Sequence, residues 1–421
     1  MDLAELNHVL IPGTKSARDR YRNAWLGRRL RFLSTPFMRL SREGRALLVM
    51  AGVAALFGGD VGRTEAHVLV LASASLVVSA FLFTGAYRLS GVTAGLSLPR
   101  RVTLGDEIAL TISLRNDGHR THRSIRLVPP LLPWDGTFRA LPNDIDELPP
   151  GGLVTATVRA RFAVRGEHHV DPFRAVALLP LGLSQGASLP TSGARFVVVP
   201  KVARVVSLTT PKNRRHQPGG IARASRTGDA TDLLGVRPYR PGDPVRDLHA
   251  RSWARHGAPM VREYQEEYFT RIGIVVDTDA GAASSAHLEG ALSLAAGVVA
   301  SLCRGEALVD VLVAGKHVEQ LSLGRSLGSL DQALDVLAAV RPSPGFGAEA
   351  MLGRLSPYLE RLSSVVLVAL DWDDARAAFV AAMRARGVET LVLVVGDHAS
   401  RTTQATTVPL EAITKGEALA L

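Results

Sequence analysis

The sequence predicts a multidomain chain made of a transmembrane helical hairpin, a β-sandwich-like domain, and an α/β domain with a mostly parallel sheet. Three observations carry that prediction. Two apolar stretches, residues 46–59 and 66–87, follow a basic arm. From Val92 to about Val206 short alternating runs are broken by turn residues, and from Arg271 onward continuous Val/Leu runs alternate with amphipathic ones. A chain of 421 residues with 47% apolar content exceeds what one core usually holds, and disorder is excluded. The single cysteine, Cys303, excludes an intrachain disulfide, and no Cys/His cluster has zinc-finger spacing.

Residues 1–45 read as a basic cytoplasmic arm, with ten Lys/Arg against four Asp/Glu. Residues 46–88 read as a two-helix transmembrane hairpin. Its second span, Ala66 to Tyr87, carries no charge over 22 residues, enough at about 1.5 Å per residue to cross a core of about 30 Å. The first, Ala46 to Gly59, has 14 uncharged residues and needs Arg45 and Asp60 as snorkelling ends, or a locally thinned bilayer. Its alternative is a buried soluble helix. Arginines precede the first span (Arg28, Arg29, Arg31, Arg39, Arg42, Arg45) and follow the second (Arg88, Arg100, Arg101), so both ends of the hairpin are expected in the cytoplasm. A charged leader of about 45 residues does not suit a cleaved signal peptide.

Residues 89–206 form the expected β domain. Ile108, Leu110, Ile112 and Leu114 alternate with polar residues, and Asn116-Asp117-Gly118 supplies a turn tolerant of positive φ. Further strands fit Ser124 to Val128, Val154 to Val164 and Phe196 to Val199. His168 and His169 are adjacent, hence on opposite strand faces, and are expected to face solvent rather than bind metal.

Residues 207–265 are arginine-rich, with thirteen Lys/Arg against four Asp/Glu between Lys201 and Arg262. Arg240-Pro241-Gly242-Asp243 suits a type II turn, after which Asp243 would cap a helix with Pro244 at its first position. Arg246, Asp247, Arg251 and Arg255 on that helix would exchange partners with Asp243, Glu263 and Glu266. The segment reads as an anion or partner site, or as a salt-bridged staple within the chain. The second weighs more, because arginine forks usually serve carboxylates of the same chain. Without an RNA- or DNA-binding motif and with few aromatics to stack bases, nucleic acid is not an expected partner.

The residues Gly235, Arg237, Tyr239, Gly242, Asp243, Arg246, His249, Ala254, Arg255, Val261, Arg262 and Glu263 follow the pattern G-x-R-x-Y-x-x-G-D-x-x-R-x-x-H, then A-R and V-R-E. This pattern resembles the signature of the domain of unknown function 58 family, with Arg240 and Arg251 beside it as candidate interaction residues. Upstream, Arg165-Gly166 and Leu179-Pro180-Leu181-Gly182-Leu183 resemble that family's R-G and D-P-F-G-L elements. The sequence departs in having Ala250 after the histidine, where a tryptophan is usual.

Residues 266–421 alternate strands and helices. IGIVVD, Leu308 to Val313, VVLVAL and TLVLVV are the strands; Ala286 to Cys303, Leu327 to Val340, Ala348 to Leu362 and Asp373 to Arg386 are the helices. Such alternation specifies a parallel sheet covered on both faces, with ligands at the carboxyl ends of its strands. Asp277, Asp279, Asp371 and Asp373 all lie just past strands and are expected on one rim. The resemblance implies a von Willebrand factor A-like domain, whose metal ion-dependent adhesion site uses D-x-S-x-S plus other loops. Here Asp277-Thr278-Asp279-Ala280-Gly281 fits poorly, so any magnesium site at Asp277, Asp279 and Asp371 is degenerate, and the alternative is a rim of solvated and helix-capping aspartates. Cys303 is expected in the core.

No P-loop, G-x-S-x-G elbow or H-E-x-x-H helix occurs, so no enzyme activity is expected. The expectation is a membrane-anchored interaction or scaffold protein of the bacterial inner membrane, two-pass, with both termini cytoplasmic. The resemblance implies a MoxR-type AAA+ ATPase as partner, in assembly or maturation of protein complexes. The alternative is an inner-leaflet enzyme or transferase subunit holding an anionic substrate through Arg237, Arg240 and Arg246. A third reading has the basic arm bind anionic lipid.

Overall fold

The computed structural model describes residues 20, 40–57, 64–82, 87–179, 182–210, 233–264, 271–279, 285–304, 308–314, 318–323, 330–343, 346–359, 361–396 and 405–421. The chain divides into two compact units, Met1–Lys201 and Val202–Leu421.

The first unit begins with helices α1 (Arg42–Phe57) and α2 (Thr64–Leu82), which pack against each other. Both lie where the apolar stretches were expected, and many of their apolar side chains face outward: Val49 is 58% exposed, Met50 63%, Leu71 68% and Leu82 74%. Among the described residues, the helix that meets a membrane-crossing criterion of length and composition is Ser285–Leu302 of the second unit, and 61% of it is buried inside the protein. It is a core helix.

The β domain follows as β1 (Val92–Ser97), β2 (Arg101–Thr103), β3 (Glu107–Asn116), β4 (His122–Val128), β5 (Gly136–Ala140) and β6 (Ile145–Leu148). It continues with β7 (Leu153–Phe162), β8 (Gly166–Val170), β9 (Arg174–Ala177), β10 (Leu189–Pro190) and β11 (Ala194–Val199). Two four-stranded antiparallel sheets, β1-β3-β7-β5 and β10-β9-β4-β6, and a three-stranded sheet, β2-β11-β8, enclose one core. The alternation in β3 works as the sequence predicts: Ile108, Leu110, Ile112 and Leu114 are each at most 1% exposed. Burying each such side chain stabilises by about 1.5–3 kcal/mol. The turn after β3 is held differently from expectation. Asn116 is buried, donates to Arg120 O (2.8 Å) and Leu148 O (3.1 Å), and accepts from Gly118 N–H (3.0 Å), so an Asx turn replaces positive φ there.

His168 and His169 do not face solvent; they are 6% and 7% exposed. They do point to opposite faces of β8, but both faces are covered. His168 lies 5.1 Å from the Phe162 ring and 5.5 Å from the Phe196 ring, and its Nε2 is 2.8 Å from the buried Asp135 carboxylate.

The base of α1 is docked onto this domain. Ser41 N–H donates to Leu183 O (3.0 Å), Leu40 bridges Ser184, and a Cβ at Gly44 would collide with the Leu183 carbonyl. Arg126 on β4 binds Asp144 (2.8 Å) and reaches Glu43 at the start of α1 (3.1 Å). Just after α2, Tyr87 O accepts from Ala187 N–H (3.2 Å). The segment Gly182–Ala187, which contains the end of the L-P-L-G-L element, therefore touches the base of α1 and the chain leaving α2.

The second unit starts earlier than residue 207. β12 (Val205–Ser207) pairs in parallel with β21 (Leu419–Ala420), and Ala203 N–H donates to Ser293 O (3.0 Å). Next come the hairpin β13 (Leu233–Pro238) and β14 (Met260–Tyr264), with helix α3 (Ala250–His256) between them. A six-stranded sheet follows, made of β15 (Arg271–Val276), β16 (Leu308–Ala314), β17 (Val318–Leu323), β18 (Ser364–Ala369), β19 (Glu389–Val395) and β20 (Thr406–Val408). Its order is β17-β16-β15-β18-β19-β20, parallel except for the edge strand β17. Helices α4 (Ser285–Leu302), α5 (Leu330–Ala339), α6 (Ala348–Leu359), α7 (Asp374–Ala385) and α8 (Leu410–Lys415) complete it.

Met351, Leu355, Phe379, Val380 and Met383 of α6 and α7 pack with Val275, Leu367 and Val392 on one sheet face. On α4, Gly290 faces Val395 and Leu410. The chain is thus a mixed α/β multidomain protein, as expected. Cys303 is not core: α4 ends at Leu302, and the thiol is exposed beside it.

Candidate functional site

The strand order reverses at β15, with β16 on one side and β18 on the other, so the crevice for a ligand opens past the carboxyl end of β15. Asp277, Thr278 and Asp279 stand there. Asp277 N–H donates to Val368 O of β18 (2.9 Å), which fixes the loop to the neighbouring strand. Thr278 O accepts from Ser343 N–H (2.8 Å), and the two hydroxyls lie 2.7 Å apart. Ser343 thus brings a hydroxyl to this rim from a separate loop.

The residue that organises this rim is Arg376, in the first turn of α7, and sequence reasoning missed it. Its Nε and NH2 lie 2.8 and 2.7 Å from Asp277 Oδ2, its NH1 2.6 Å from Asp373 Oδ2, and its NH2 3.6 Å from Asp279 Oδ2. The Phe346 ring covers the guanidinium carbon at 4.7 Å. The Arg376 side chain is 4% exposed and that of Asp277 0%. Three of the four expected carboxylates meet around one internal cation.

Asp371 does not join them; it is exposed, and its Oδ1 accepts its neighbour Trp372 N–H (2.7 Å). Asp373 caps α7 by accepting Arg376 N–H (2.8 Å), as the helix-capping reading supposes, but Asp277 is buried, not solvated. The available signal was Arg376 itself, three residues after the cap: a cation in a helix's first turn opposes the macrodipole by about 0.3–1 kcal/mol, so its presence there asks for a partner.

Burial disfavours the guanidinium, but Asp277, Asp373 and Asp279 outweigh it and hold Arg376 above its ordinary value. Burial pushes the Asp277 carboxyl up, against the pull of Arg376 and of backbone hydrogen bonds at Asp279 and Leu370.

A divalent ion such as magnesium needs about six oxygens at about 2.0–2.1 Å. Here Asp277 Oδ1 accepts Asp279 N–H (2.9 Å) and Oδ2 takes two guanidinium nitrogens. Among the described residues no group of three or more His, Cys, Asp or Glu is disposed to hold a metal. Gly281 lies outside them. The residues that are described do not fit a divalent ion.

The arginine-rich hairpin is the second candidate. Gly235, Arg237, Tyr239 and Arg262 lie on or beside the paired strands, and Gly235 is opposite Glu263, whose side chain is outside the described residues, as is all of Glu266. The turn forms as expected: Asp243 N–H donates to Arg240 O (3.0 Å), with Gly242 at φ 106°, a conformation that suits glycine.

Asp243 does not cap a helix. It accepts both Arg237 NH groups (2.7 and 2.8 Å) and Arg240 N–H (2.8 Å), and these, Arg237 foremost, lower its pKa to about 2. With that carboxylate taken, Pro244 leads into a single 3-10 turn, Val245–Asp247, and α3 starts anew with His249 as its cap, accepting Ser252 N–H (3.3 Å). The expected continuous helix is therefore two pieces. Arg246 lies 3.9 Å from Asp247, while Arg240, Arg251, Arg255 and Arg262 are exposed. Among the described residues no carboxylate bridges Arg251, Arg255 or Arg262. Arg237 is the staple; the other arginines are exposed, as are Trp253 (43%) and Tyr239 (37%).

Residues 235–420 match the family model described as "Protein of unknown function DUF58", starting at the first glycine of the signature. The match is a similarity over less than half of the chain. No curated protein matches the chain. Among solved structures, it is similar to native alpha-2-macroglobulin from Escherichia coli, domain MG7 to the C-terminus (16% identity over 28% of this chain and 20% of that one, TM-score 0.21). It is also similar to proximal thread matrix protein 1 of the mussel byssus (12% identity, 35% and 43%, TM-score 0.28) and to the SpRpn10 VWA domain (9% identity, 35% and 94%, TM-score 0.23). The chain thus spans less than half the length of the first two. At these scores the fold description rests on the strand order itself.

Proposed function

We propose that this chain is a membrane-anchored scaffold of the bacterial inner membrane, with both termini cytoplasmic and its second unit docking other proteins. Residues 46–88 are its two-pass anchor. The observation that carries the reading is the outward-facing apolar surface of α1 and α2, on helices whose base is hydrogen-bonded to a folded domain. Water leaves such a surface uncovered at a cost of about 25 cal/mol per Å², whereas lipid removes that cost.

The exposed Arg251, Arg255 and Arg262 support docking of acidic partners, because among the described residues no carboxylate bridges them, unlike Arg237. The partner class we propose is a MoxR-type AAA+ ATPase, acting in assembly or maturation of protein complexes. The second unit is read as a von Willebrand factor A-like domain without catalytic machinery.

Two measurements test this. Cell fractionation is expected to leave the intact chain in the membrane pellet after carbonate washing, with protease added from outside leaving the second unit intact; a freely soluble chain, or external digestion of the carboxyl half, refutes the anchor. Co-purification with and without ATP is expected to recover an AAA+ ATPase, and to lose it when Arg251 and Arg255 are changed to Glu. Recovery of none under either condition refutes the docking role.

A further inference from the structure

We infer that Arg376 is the permanent cation of the rim past β15, standing where the family resemblance would place a divalent metal ion, so that this rim is complete without metal. The inference is independent of the membrane anchor and of the partner proposed above.

The geometry carries it. Each outward edge of the guanidinium meets a different carboxylate: Nε and NH2 meet Asp277, NH1 meets Asp373, and NH2 also approaches Asp279. The planar fork suits this task better than a point charge would, because its nitrogens diverge in fixed directions. Phe346 closes one face of the cation and itself packs edge-on against Phe379 (5.7 Å), a fully buried residue one turn along α7. Arg376 is therefore locked by an aromatic lid, by its own helix and by three anions.

A metal ion in this place would have to displace Arg376 from Asp277, and the guanidinium has no exposed route of retreat at 4% exposure. Three carboxylates around one guanidinium still leave a formal negative excess. That excess sits on the outer members, since the Asp373 side chain is 46% exposed and screened by water, whereas Asp277 is fully enclosed with its cation.

Arg376 also couples two loops to α7. Asp277 and Asp279 belong to the loop after β15, which is bonded through Thr278 to Ser343 and paired with it at Asp279. In an adhesion site of the metal type, the arrangement of such loops depends on the ion. Here a covalently attached cation sets it, so the arrangement of these loops is insensitive to chelators and to magnesium concentration.

The test uses the full chain in detergent, with manganese(II) alone as the probe, read by electron paramagnetic resonance and by unfolding temperature. For the natural sequence, no saturable manganese uptake tighter than about millimolar is expected, and the unfolding temperature is the same in manganese and in chelator. Arg376→Ser is expected to gain a saturable site, at least about tenfold tighter than any residual binding, and Asp277→Asn added to it is expected to abolish that gain.

Saturable submillimolar binding by the natural sequence that disappears in Asp277→Asn overturns the inference. A folded Arg376→Ser protein with no gain also overturns it. If Arg376→Ser folds only when manganese is present, the ion has replaced the side chain, which supports the inference. If it folds under neither condition, the titration of the natural sequence decides alone.

Discussion

Removing Arg376 tests how much stability the enclosed ion cluster holds. In Arg376→Met the aliphatic part of the side chain is kept and the charge is lost, leaving Asp277, at 0% exposure, as an unpaired carboxylate. Breaking a buried pair from one side costs about 3–5 kcal/mol, because the remaining charge keeps its desolvation penalty without its partner. In Asp277→Asn/Arg376→Met neither charge remains at the centre, and the loss is expected to shrink by about 1–3 kcal/mol relative to the sum of the single changes.

For a unit the size of Val202–Leu421, about 1 kcal/mol shifts the unfolding temperature by roughly 2–4 °C, so Arg376→Met should lower the transition of this unit by about 6–20 °C. The assay is thermal unfolding of the detergent-solubilised chain and its three variants, followed by a probe in the second unit such as Trp372 fluorescence. A loss below about 1 kcal/mol for Arg376→Met, or strict additivity of the two changes, would show that the cluster is solvated and the argument from burial wrong.

The other predictions are shorter. Gly44→Val should destabilise the docking of α1 by about 1–3 kcal/mol or more, because its Cβ meets the Leu183 carbonyl, whereas Gly52→Val on the same helix meets nothing within 4 Å and should be neutral; equal protease sensitivity of the two variants refutes the contact. The Asp243 carboxyl should titrate at about 2 by carbon NMR. Its folded pKa is depressed, so the stability it contributes is complete above the ordinary carboxylate range and lost as pH falls toward 2; Arg237→Gln should bring the midpoint back toward 3.8. Leu110→Ala, at a fully buried position in β3, should cost about 2–5 kcal/mol, and a value near zero would mean that the β core is not packed as described. Cys303 should react with thiol reagents without denaturant but slowly at neutral pH, since partial burial pushes its thiol up; a need for denaturant would return it to the core.

Much of this architecture is readable in the sequence where one physical rule acts alone. Ile108 to Leu114 alternate because one face of β3 is buried, and the Val/Leu runs of β15, β18 and β19 are continuous because both faces are. The rule fails where a second one intervenes. For His168 and His169, opposite faces were inferred correctly, but exposure does not follow, since β8 has protein on both sides and aromatic rings and Asp135 beside His168.

The continuous helix expected after Asp243 fails because that carboxylate has a stronger claimant in Arg237 than any helix terminus. The antiparallel edge strand β17 and the short β12–β21 pair lie beyond local patterning, because Val205 and Leu419 meet only through the tertiary fold. The candidate site shows the same limit. The four aspartates could be placed by strand ends, but the cation among them comes from a residue ninety-nine positions from Asp277 in the chain.

The pairing of β12 with β21 has a mechanical consequence. Leu419 N–H donates to Arg204 O, Leu421 N–H to Ser207 O, and Thr209 N–H to Leu421 O, while Arg304 reaches across to Val205 O. Because the two strands run in the same direction, tension applied upstream of Val205 and at Leu421 slides one past the other and loads these bonds together instead of opening them singly. A pulling machine that gripped the carboxyl end would meet its resistance at this zipper before it reached the six-stranded sheet.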